Sequence, residues 1–597
     1  MGCSTIRNRY FQNGVLISSD SSLKKWRKVK KMQVHIKFKR KADSRPLYFA
    51  HPKAVFTEKD MSLQEALQSI ERYIDQGCYI IPSLSYEAKE GGPFIIGVFE
   101  SPVERSVFQS AYGEYGGYLM GRPEFIDSPS KIKRDIEEIR NYIKDGHTYQ
   151  VNYTTRLRGG FSGNAHALFE QLTSRNNGDY AAFIHHGEDT IVSCSPELFF
   201  EKDAHGKISA RPMKGTSRRY RDPEEDQRSY DFLRYSKKDQ AENVMIVDLL
   251  RNDLSKLAER GSVRVPELFK IEQYETVYQM TSKIEAQLTD GRRTADIIDA
   301  LFPCGSITGA PKRSTIDIIS RLESTPRGYY CGAIGIIHPD RSQVFNVPIR
   351  TLHIREGQFE YGAGGGITYD SLPTAEYDEI VAKTAFLEAG RYKLIETMRF
   401  ESGEIARLDL HEARVDHSSR SLGFRQPDFK RALAAYLRHH ALTEGIVFKV
   451  RALIDDSGEI SFTHEERGAT ERMQAKIHDE AIDSPAEFLS NKTSIRHHYG
   501  GASNEFPLVL YYNKKRQITE FNLGNLVVME KDGYFTPSAD TGLLEGVMRT
   551  SLINDGVISE RDYDLDEFTR RYEQGEIEIY MINSLREWVE VKLEVQR

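Results

Sequence analysis

The stretch Phe302-Pro303-Cys304-Gly305-Ser306-Ile307-Thr308-Gly309-Ala310-Pro311-Lys312 runs directly into Arg313-Ser314-Thr315-Ile316-Asp317-Ile318-Ile319. Its first part is too rich in Gly, Pro and small hydroxyl residues for a regular element. The second part reads as a helix. A loop that leads its backbone N–H groups into a helix start makes an anion cradle, with Ser306, Thr308, Gly309, Ala310 and Lys312 as candidate contacts. It is not a phosphate loop of the Walker kind, because Gly309 is followed by Ala-Pro rather than by a Lys-Ser/Thr pair. A carboxylate ligand suits it at least as well as a phosphate.

Three other segments carry more chemistry than a core requires. Gly362-Ala-Gly364-Gly365-Gly366 is a second place where backbone can approach a ligand closely. Arg211-Pro-Met-Lys214-Gly-Thr216 holds a lysine between a proline and a glycine, although alone this is an ordinary surface turn. Glu376 and Glu379 share a helix face, with Lys383 one turn on. Glu242 precedes an apolar helical run, and carboxylates from two helices suit Mg²⁺, which takes a few oxygen ligands and keeps waters. Upstream, Ser128-Pro129 opens a helix whose stripe is Ile132, Ile136, Ile139 and Ile143.

Taken together, residues 128 to 390 resemble the chorismate-utilising enzymes: anthranilate synthase component I, aminodeoxychorismate synthase component I and the isochorismate synthases. The resemblance implies that the Gly-Ala-Pro-Lys loop and the triple glycine hold chorismate carboxylates, as do Tyr330 and Arg350. It implies Glu242 and Glu379 as Mg²⁺ ligands, with Glu376 close by. Lys214 separates the branches: anthranilate synthases carry a small residue in this turn, aminodeoxychorismate synthases a lysine. A buried lysine with a lowered pKa is a competent nucleophile, and Glu197 matches the general acid for the leaving hydroxyl. Gln279 stands where anthranilate synthases have a histidine. No Gly-x-Cys-x-Gly-x-Gln nucleophile elbow is present, so ammonia is expected from a separate glutamine amidotransferase subunit.

The texture resets after Gly390, where we place the main boundary. Lys393 to Phe400 reads as a strand, Glu401-Ser-Gly-Glu404 as a hairpin turn, and a second seam falls near 465 to 490. Here Lys492, Glu520, Arg414 and the pair Val547-Met548 could supply what pyridoxal phosphate needs: an amine for the aldehyde, a carboxylate for the ring nitrogen and a phosphate cup. Their order resembles the fold-type IV pyridoxal enzymes, including branched-chain aminotransferase, D-amino acid aminotransferase and aminodeoxychorismate lyase. The ending Asn583-Ser584-Leu585-Arg586 is most like the lyase branch, in which Arg586 would bind a substrate carboxylate and Lys492 would move a proton as pyruvate leaves. Relatives of this kind are dimers, so a homodimer is expected. The lobe is trimmed at its start relative to stand-alone members.

The expected architecture is α+β: a chorismate-binding antiparallel β-sandwich with flanking helices (32–390), then a two-lobed α/β fold-type IV domain (391–597). Residues 1–31 read as a disordered or non-native leader. With 597 residues, 39% hydrophobic and 28% charged, the composition is that of a soluble globular protein. The net charge of −6 gives no reason to expect a nucleic-acid surface. No apolar run reaches membrane-helix length. The five scattered cysteines lack any C-x-x-C pair and suit a reducing cytoplasm. The function expected is amination of chorismate to 4-amino-4-deoxychorismate and its conversion to 4-aminobenzoate plus pyruvate, for folate synthesis. Two alternatives stand beside it: an anthranilate synthase fused to an unrelated aminotransferase, or a C-terminal half that is only structural.

Overall fold

The computed structural model describes residues 31–39, 45–113, 116–174, 178–220, 222–274, 277–388, 390–440, 442, 445–468, 472–496 and 498–595. The reading of residues 1–31 as a leader therefore lies almost wholly outside the described residues. The described chain forms two compact units. The first takes those in Met1–Glu114, Pro123–Gly160 and Arg175–Ala385; the second takes those in Tyr115–Arg122, Phe161–Ser174 and Phe386–Arg597. The main division thus lies a few residues before Gly390, and two short stretches of the first half belong with the second unit.

The first unit is an antiparallel sandwich. One sheet runs from the long strand Gln150–Gly163 through Gln358–Ile367, Thr351–Arg355, Asp189–Ser195 and Tyr180–His186 to Met32–Phe38. The other runs from Met213–Arg218 through Val277–Gln287 and Leu198–Lys202 to Ala333–Ile337, Tyr79–Leu84 and Phe94–Phe99. Alternate residues of both sheets, including Val34, Ile36, Ile184, Ile191, Ile81, Ile95, Ile334 and Ile336, bury one shared layer. Helices Leu63–Asp75, Lys237–Ser255 and Thr294–Leu301 cover the outer face of the second sheet with Leu67, Ile70, Leu250 and Ile298. Helix Pro129–Lys144 starts as the sequence predicts, its Ser128 hydroxyl accepting from the Lys131 N–H. Ile132, Ile136 and Ile139 are buried, whereas Ile143, in the last turn, is only half-buried. The α+β sandwich with flanking helices is what the sequence led us to expect.

The second unit contains two sheets. The smaller comprises Leu394–Glu401, Glu404–Ile405, Phe448–Ile454 and Ile460–Glu466, the hairpin turning through Ser402 and Gly403, both at positive φ. The larger, mixed sheet has eight strands, among them Arg472–Ile477, Leu508–Tyr512, Ile518–Phe521, Gly524–Glu530 and Glu578–Asn583. Phe521, Leu526, Phe568 and Val589 belong to the core of the larger sheet. The chain passes from one sheet to the other between Glu466 and Arg472, so this unit is two-lobed.

Candidate functional site

The first unit gathers its polar groups around the triple glycine. Gly364, Gly365 and Gly366 pair with Thr154, Tyr153 and Asn152 on the long strand. A Cβ on Gly366 would stand 3.5 Å from Lys214 Nζ and 2.1 Å from the Gln150 side chain. A Cβ on Gly365 would stand 3.4 Å from Lys383 Nζ and 3.8 Å from carboxylate oxygens of both Glu376 and Glu379. A side chain on Gly366 would thus run into Gln150, and the bare backbone of the triple glycine lies directly beside these amines and carboxylates. Lys383 donates to the Gly364 carbonyl at 2.7 Å and pairs with Glu379 at 2.8 Å.

Lys214 lies on Met213–Arg218 and is half-buried, a correction to the buried lysine the resemblance implies. Its position is fixed by its turn. Gln279 donates to the Gly215 carbonyl at 2.8 Å and accepts from the Thr216 hydroxyl at 2.7 Å. Gly215 sits at φ +81 with Asp239 pressed against it, so no larger residue fits.

Acidic groups surround that amine. Glu197 is buried, and burial lifts its carboxyl above the usual range although the Ser306 hydroxyl, donating at 2.6 Å, and the Lys214 charge oppose this. Its proton is therefore held more tightly than that of an exposed glutamic acid. Burial also lifts Glu242; Lys214 and Lys238 oppose the shift while Asp239 and Glu376 add to it. For Glu379 burial disfavours the charge, but Lys383, Lys238 and Lys214 outweigh it and hold the carboxyl low. Glu376 accepts from the Ser371 hydroxyl at 2.6 Å.

Other expected contacts are placed differently. Lys312 does not point into the cradle: its ammonium is tied to Asp253 at 2.7 Å and to the Leu301 carbonyl. The Thr308 hydroxyl turns back onto the Cys304 and Gly305 carbonyls, and its backbone is engaged too, the N–H donating to the Gly305 carbonyl and the carbonyl accepting from the Asn152 N–H. Gly309 is packed so closely on the Gln150 carbonyl that a Cβ would lie 2.0 Å from it, and Ala310 pairs with Gln150. Tyr330 stacks over Gly362 and faces the buried Arg156 guanidinium, 5.3 Å from its ring centre. Arg350 is exposed at positive φ.

The second unit holds a cavity of about 260 Å³. Arg414, Lys492, Glu520, Val547 and Arg586 all line it. Met548 does not: its side chain is buried with Val527 and Ile582, so only its backbone could contribute. Burial and the neighbouring Arg414, Arg496 and Arg451 bring Lys492 down to about 7, with Glu396 opposing. Glu520 is buried and pushed up to about 7 by that burial, against hydrogen bonds from Tyr499 Oη at 2.7 Å and the Leu544 N–H at 3.0 Å. Helix Val547–Asn554 begins at the wall behind Gly546, whose Cβ would strike Asn525. Arg414 grips the buried Glu396 with two bonds of 2.8 and 2.7 Å, and His411 shares the same carboxylate at 2.6 Å. Sequence alone gives neither Glu396 nor His411 this role and does not single out Tyr499.

A lowered amine and a raised, buried acid lining one cavity fit pyridoxal phosphate: an aldehyde captor, an acid for the pyridinium nitrogen, and a helix start for phosphate. Beside Gly365 stand the carboxylates of Glu376 and Glu379 with the Lys383 ammonium, and the Glu376 charge reaches Glu242; these are oxygen donors of the kind a hard divalent cation takes.

A stability test follows from Glu520. Its charged form is disfavoured in the folded cofactor-free chain, so its contribution is nil below the ordinary pKa of 4.5. It turns unfavourable as pH rises towards about 7 and stays constant above. Glu520→Gln is expected to stabilise the cofactor-free chain at pH 8 relative to pH 5, by on the order of 3 kcal/mol at most. Denaturant unfolding at both pH values measures this; an equal change at the two would sink it.

Residues 122–389 match the family model of the chorismate binding enzymes, and residues 393–593 that of the class IV amino-transferases. The chain carries a chorismate binding enzyme domain followed by an amino-transferase class IV domain. It is similar to aminodeoxychorismate synthase component 1 of Escherichia coli (strain K12), 42% identical over 248 residues, which is 42% of this chain and 54% of that protein. A chloroplastic aminodeoxychorismate synthase of Arabidopsis thaliana is 41% identical over 269 residues, 44% of this chain and 29% of that one. The chain thus spans about half, or less, of the length of these curated relatives. A solved 2,3-dihydroxybenzoate-specific isochorismate synthase of Bacillus anthracis shares the fold, with TM-score 0.50 and 18% identity over 60% of this chain and 96% of that one. No helix among the described residues is long and apolar enough to cross a membrane.

Proposed function

We propose that the chain aminates chorismate at C4 and converts the resulting 4-amino-4-deoxychorismate into 4-aminobenzoate and pyruvate, for folate synthesis. The observation that carries the reading is Lys214 held beside the triple glycine, facing a raised, buried Glu197. Lys214 attacks C2 of chorismate as the C4 hydroxyl departs; Glu197 gives that hydroxyl its proton, and it leaves as water. Ammonia then adds at C4, the double bonds shift back, and the Lys214–C2 bond breaks. The net change is chorismate plus ammonia to aminodeoxychorismate plus water.

Glu242, Glu376 and Glu379 would hold Mg²⁺, which supplies a positive charge for the ring carboxylate. Ser306, Gly365, Gly366, Tyr330 and Arg350 are the proposed substrate contacts; Lys312 is left out because Asp253 occupies it. In the second unit Lys492, Glu520, Arg414 and the helix start at Val547 would hold pyridoxal phosphate, which supplies an electron sink. Lys492 moves the proton as pyruvate is released, and Arg586 binds a carboxylate. Ammonia is supplied by a separate glutamine amidotransferase subunit, as the "component 1" in the relative's name suggests, and the enzyme is a cytoplasmic homodimer.

The test is incubation of the purified chain with chorismate, Mg²⁺, ammonium and pyridoxal phosphate, with chromatographic product identification. 4-Aminobenzoate plus pyruvate supports both halves, aminodeoxychorismate alone supports only the first, and anthranilate overturns the reading.

Gln279 acts as a positioning residue through the turn that carries Lys214. Gln279→Leu removes both clasping hydrogen bonds and is expected to lower kcat for amination about ten- to hundredfold, with KM changed less than about threefold. An equal loss in kcat and rise in KM would assign Gln279 to substrate binding instead.

A further inference from the structure

The cavity of the second unit is lined by seven basic side chains and a single carboxylate, Glu520. Arg414 is matched by Glu396, and Lys449 by Glu465 at 2.8 Å. Lys492 and Arg496 stand on the cofactor side: Arg496 donates to the Asn522 carbonyl and lies over the Tyr499 ring. That leaves Arg451, Arg467 and Arg586, none of which has a salt bridge among the described residues.

Register explains why these three meet. On the small sheet, Thr397 lies opposite Arg451 and Arg399 opposite Lys449. Arg451 in turn faces Thr463, and Lys449 faces Glu465. Side chains alternate along a strand, so Thr463, Glu465 and the next odd residue, Arg467, share the face that carries Lys449 and Arg451. Arg586 comes from the larger sheet, in the turn between its strands Glu578–Asn583 and Glu587–Glu594. Its Nε is buried without a hydrogen-bond partner, and the Arg467 charge reaches it. Like charges gathered in a half-buried cleft are costly unless an anion joins them.

We propose that Arg467 and Arg586, with Arg451, form a carboxylate-binding subsite that selects a substrate whose carboxylates stand away from its reacting amine. The inference rests on the lyase reading and sharpens it. Aminodeoxychorismate carries one carboxylate on the ring carbon across from the amine and another on the enolpyruvyl group. An ordinary α-amino acid carries its carboxylate on the carbon that bears the amine. Cations placed on the lobe facing the cofactor wall suit the first geometry, and Arg467 is its specificity-determining residue.

The experiment uses the full chain reconstituted with pyridoxal phosphate, and benzene-1,3-dicarboxylate as a probe. Calorimetry is expected to show the dicarboxylate bound by the wild-type chain and at least tenfold more weakly by Arg467→Gln. Arg467→Lys, which keeps the charge, should recover most of the difference. KM for aminodeoxychorismate should rise at least tenfold in Arg467→Gln with kcat within about threefold, while the cofactor absorbance band persists. Equal dicarboxylate affinity in wild type and Arg467→Gln overturns the subsite, as does loss of the cofactor band, which would place Arg467 in the phosphate cup. If Arg467→Gln fails to fold, Arg586→Gln is tested against the same thresholds. Arginine-dependent dicarboxylate binding without turnover of aminodeoxychorismate would uphold the subsite and reject the lyase reading.

Discussion

Lys214→Ala is expected to lower the amination of chorismate about a thousandfold or more, while leaving the conversion of supplied aminodeoxychorismate to 4-aminobenzoate untouched. The amine is the nucleophile in the proposed sequence, and it is Lys214 Nζ that a Cβ on Gly366 would meet, at 3.5 Å. Lys383 is the nearest rival, but it approaches Gly365 and is tied to Glu379 and the Gly364 carbonyl. Lys214→Arg separates charge from nucleophilicity: it keeps a cation near Glu197 and Glu242 but cannot attack carbon, so it should be as impaired as the alanine variant. Quenched-flow product analysis with ammonium and Mg²⁺ measures both. If the arginine variant keeps a tenth of the wild-type rate, Lys214 acts only as a charge and the covalent route is wrong.

A second large effect is expected at the other cavity. Lys492→Ala should abolish 4-aminobenzoate formation by about three orders of magnitude and leave aminodeoxychorismate to accumulate. Arg414, Arg496 and Arg451 help burial to keep this amine at about 7. In the wild-type chain, capture of the cofactor aldehyde needs the neutral amine. The capture rate should therefore climb about tenfold per pH unit below pH 7 and level off above it. Stopped-flow absorbance on mixing the cofactor-free chain with pyridoxal phosphate gives the profile. A midpoint near 10 would mean that the arginines do not act on Lys492 as their placement implies.

Much of this was legible because it is periodic or local. The isoleucines of Pro129–Lys144 announce a helix, Ser402-Gly403 announces a hairpin, and a run of glycines announces close backbone approach. The partners of long side chains were not legible. Lys312 looked like an anion contact because it follows Gly-Ala-Pro, yet its partner, Asp253, sits 59 residues earlier on another helix. Thr308 likewise satisfies its hydroxyl within its own loop, a choice set by loop geometry rather than by residue type. Arg467 escaped notice for a different cause: nothing marks it in one dimension, and only strand register turns it toward the cavity. Gln279 was legible as a departure from a pattern, but its grip on the Gly215 carbonyl appears only when Val277–Gln287 and Met213–Arg218 are laid side by side.

The two short stretches that leave the first half have a practical corollary. Tyr118 donates to the Gly390 carbonyl at 2.7 Å and sets its ring edge-on to Tyr392 and Phe488. The Gly117 N–H donates to Glu487 at 3.1 Å, and a Cβ on Gly390 would meet Leu168 at 2.8 Å. A clone starting at residue 391 would therefore express a C-terminal fragment stripped of part of its own packing, its aromatic ring cluster open to water. Poor yield or aggregation of such a truncation would report on where the scissors fell, and would say nothing against the catalytic competence of the second cavity in the intact polypeptide.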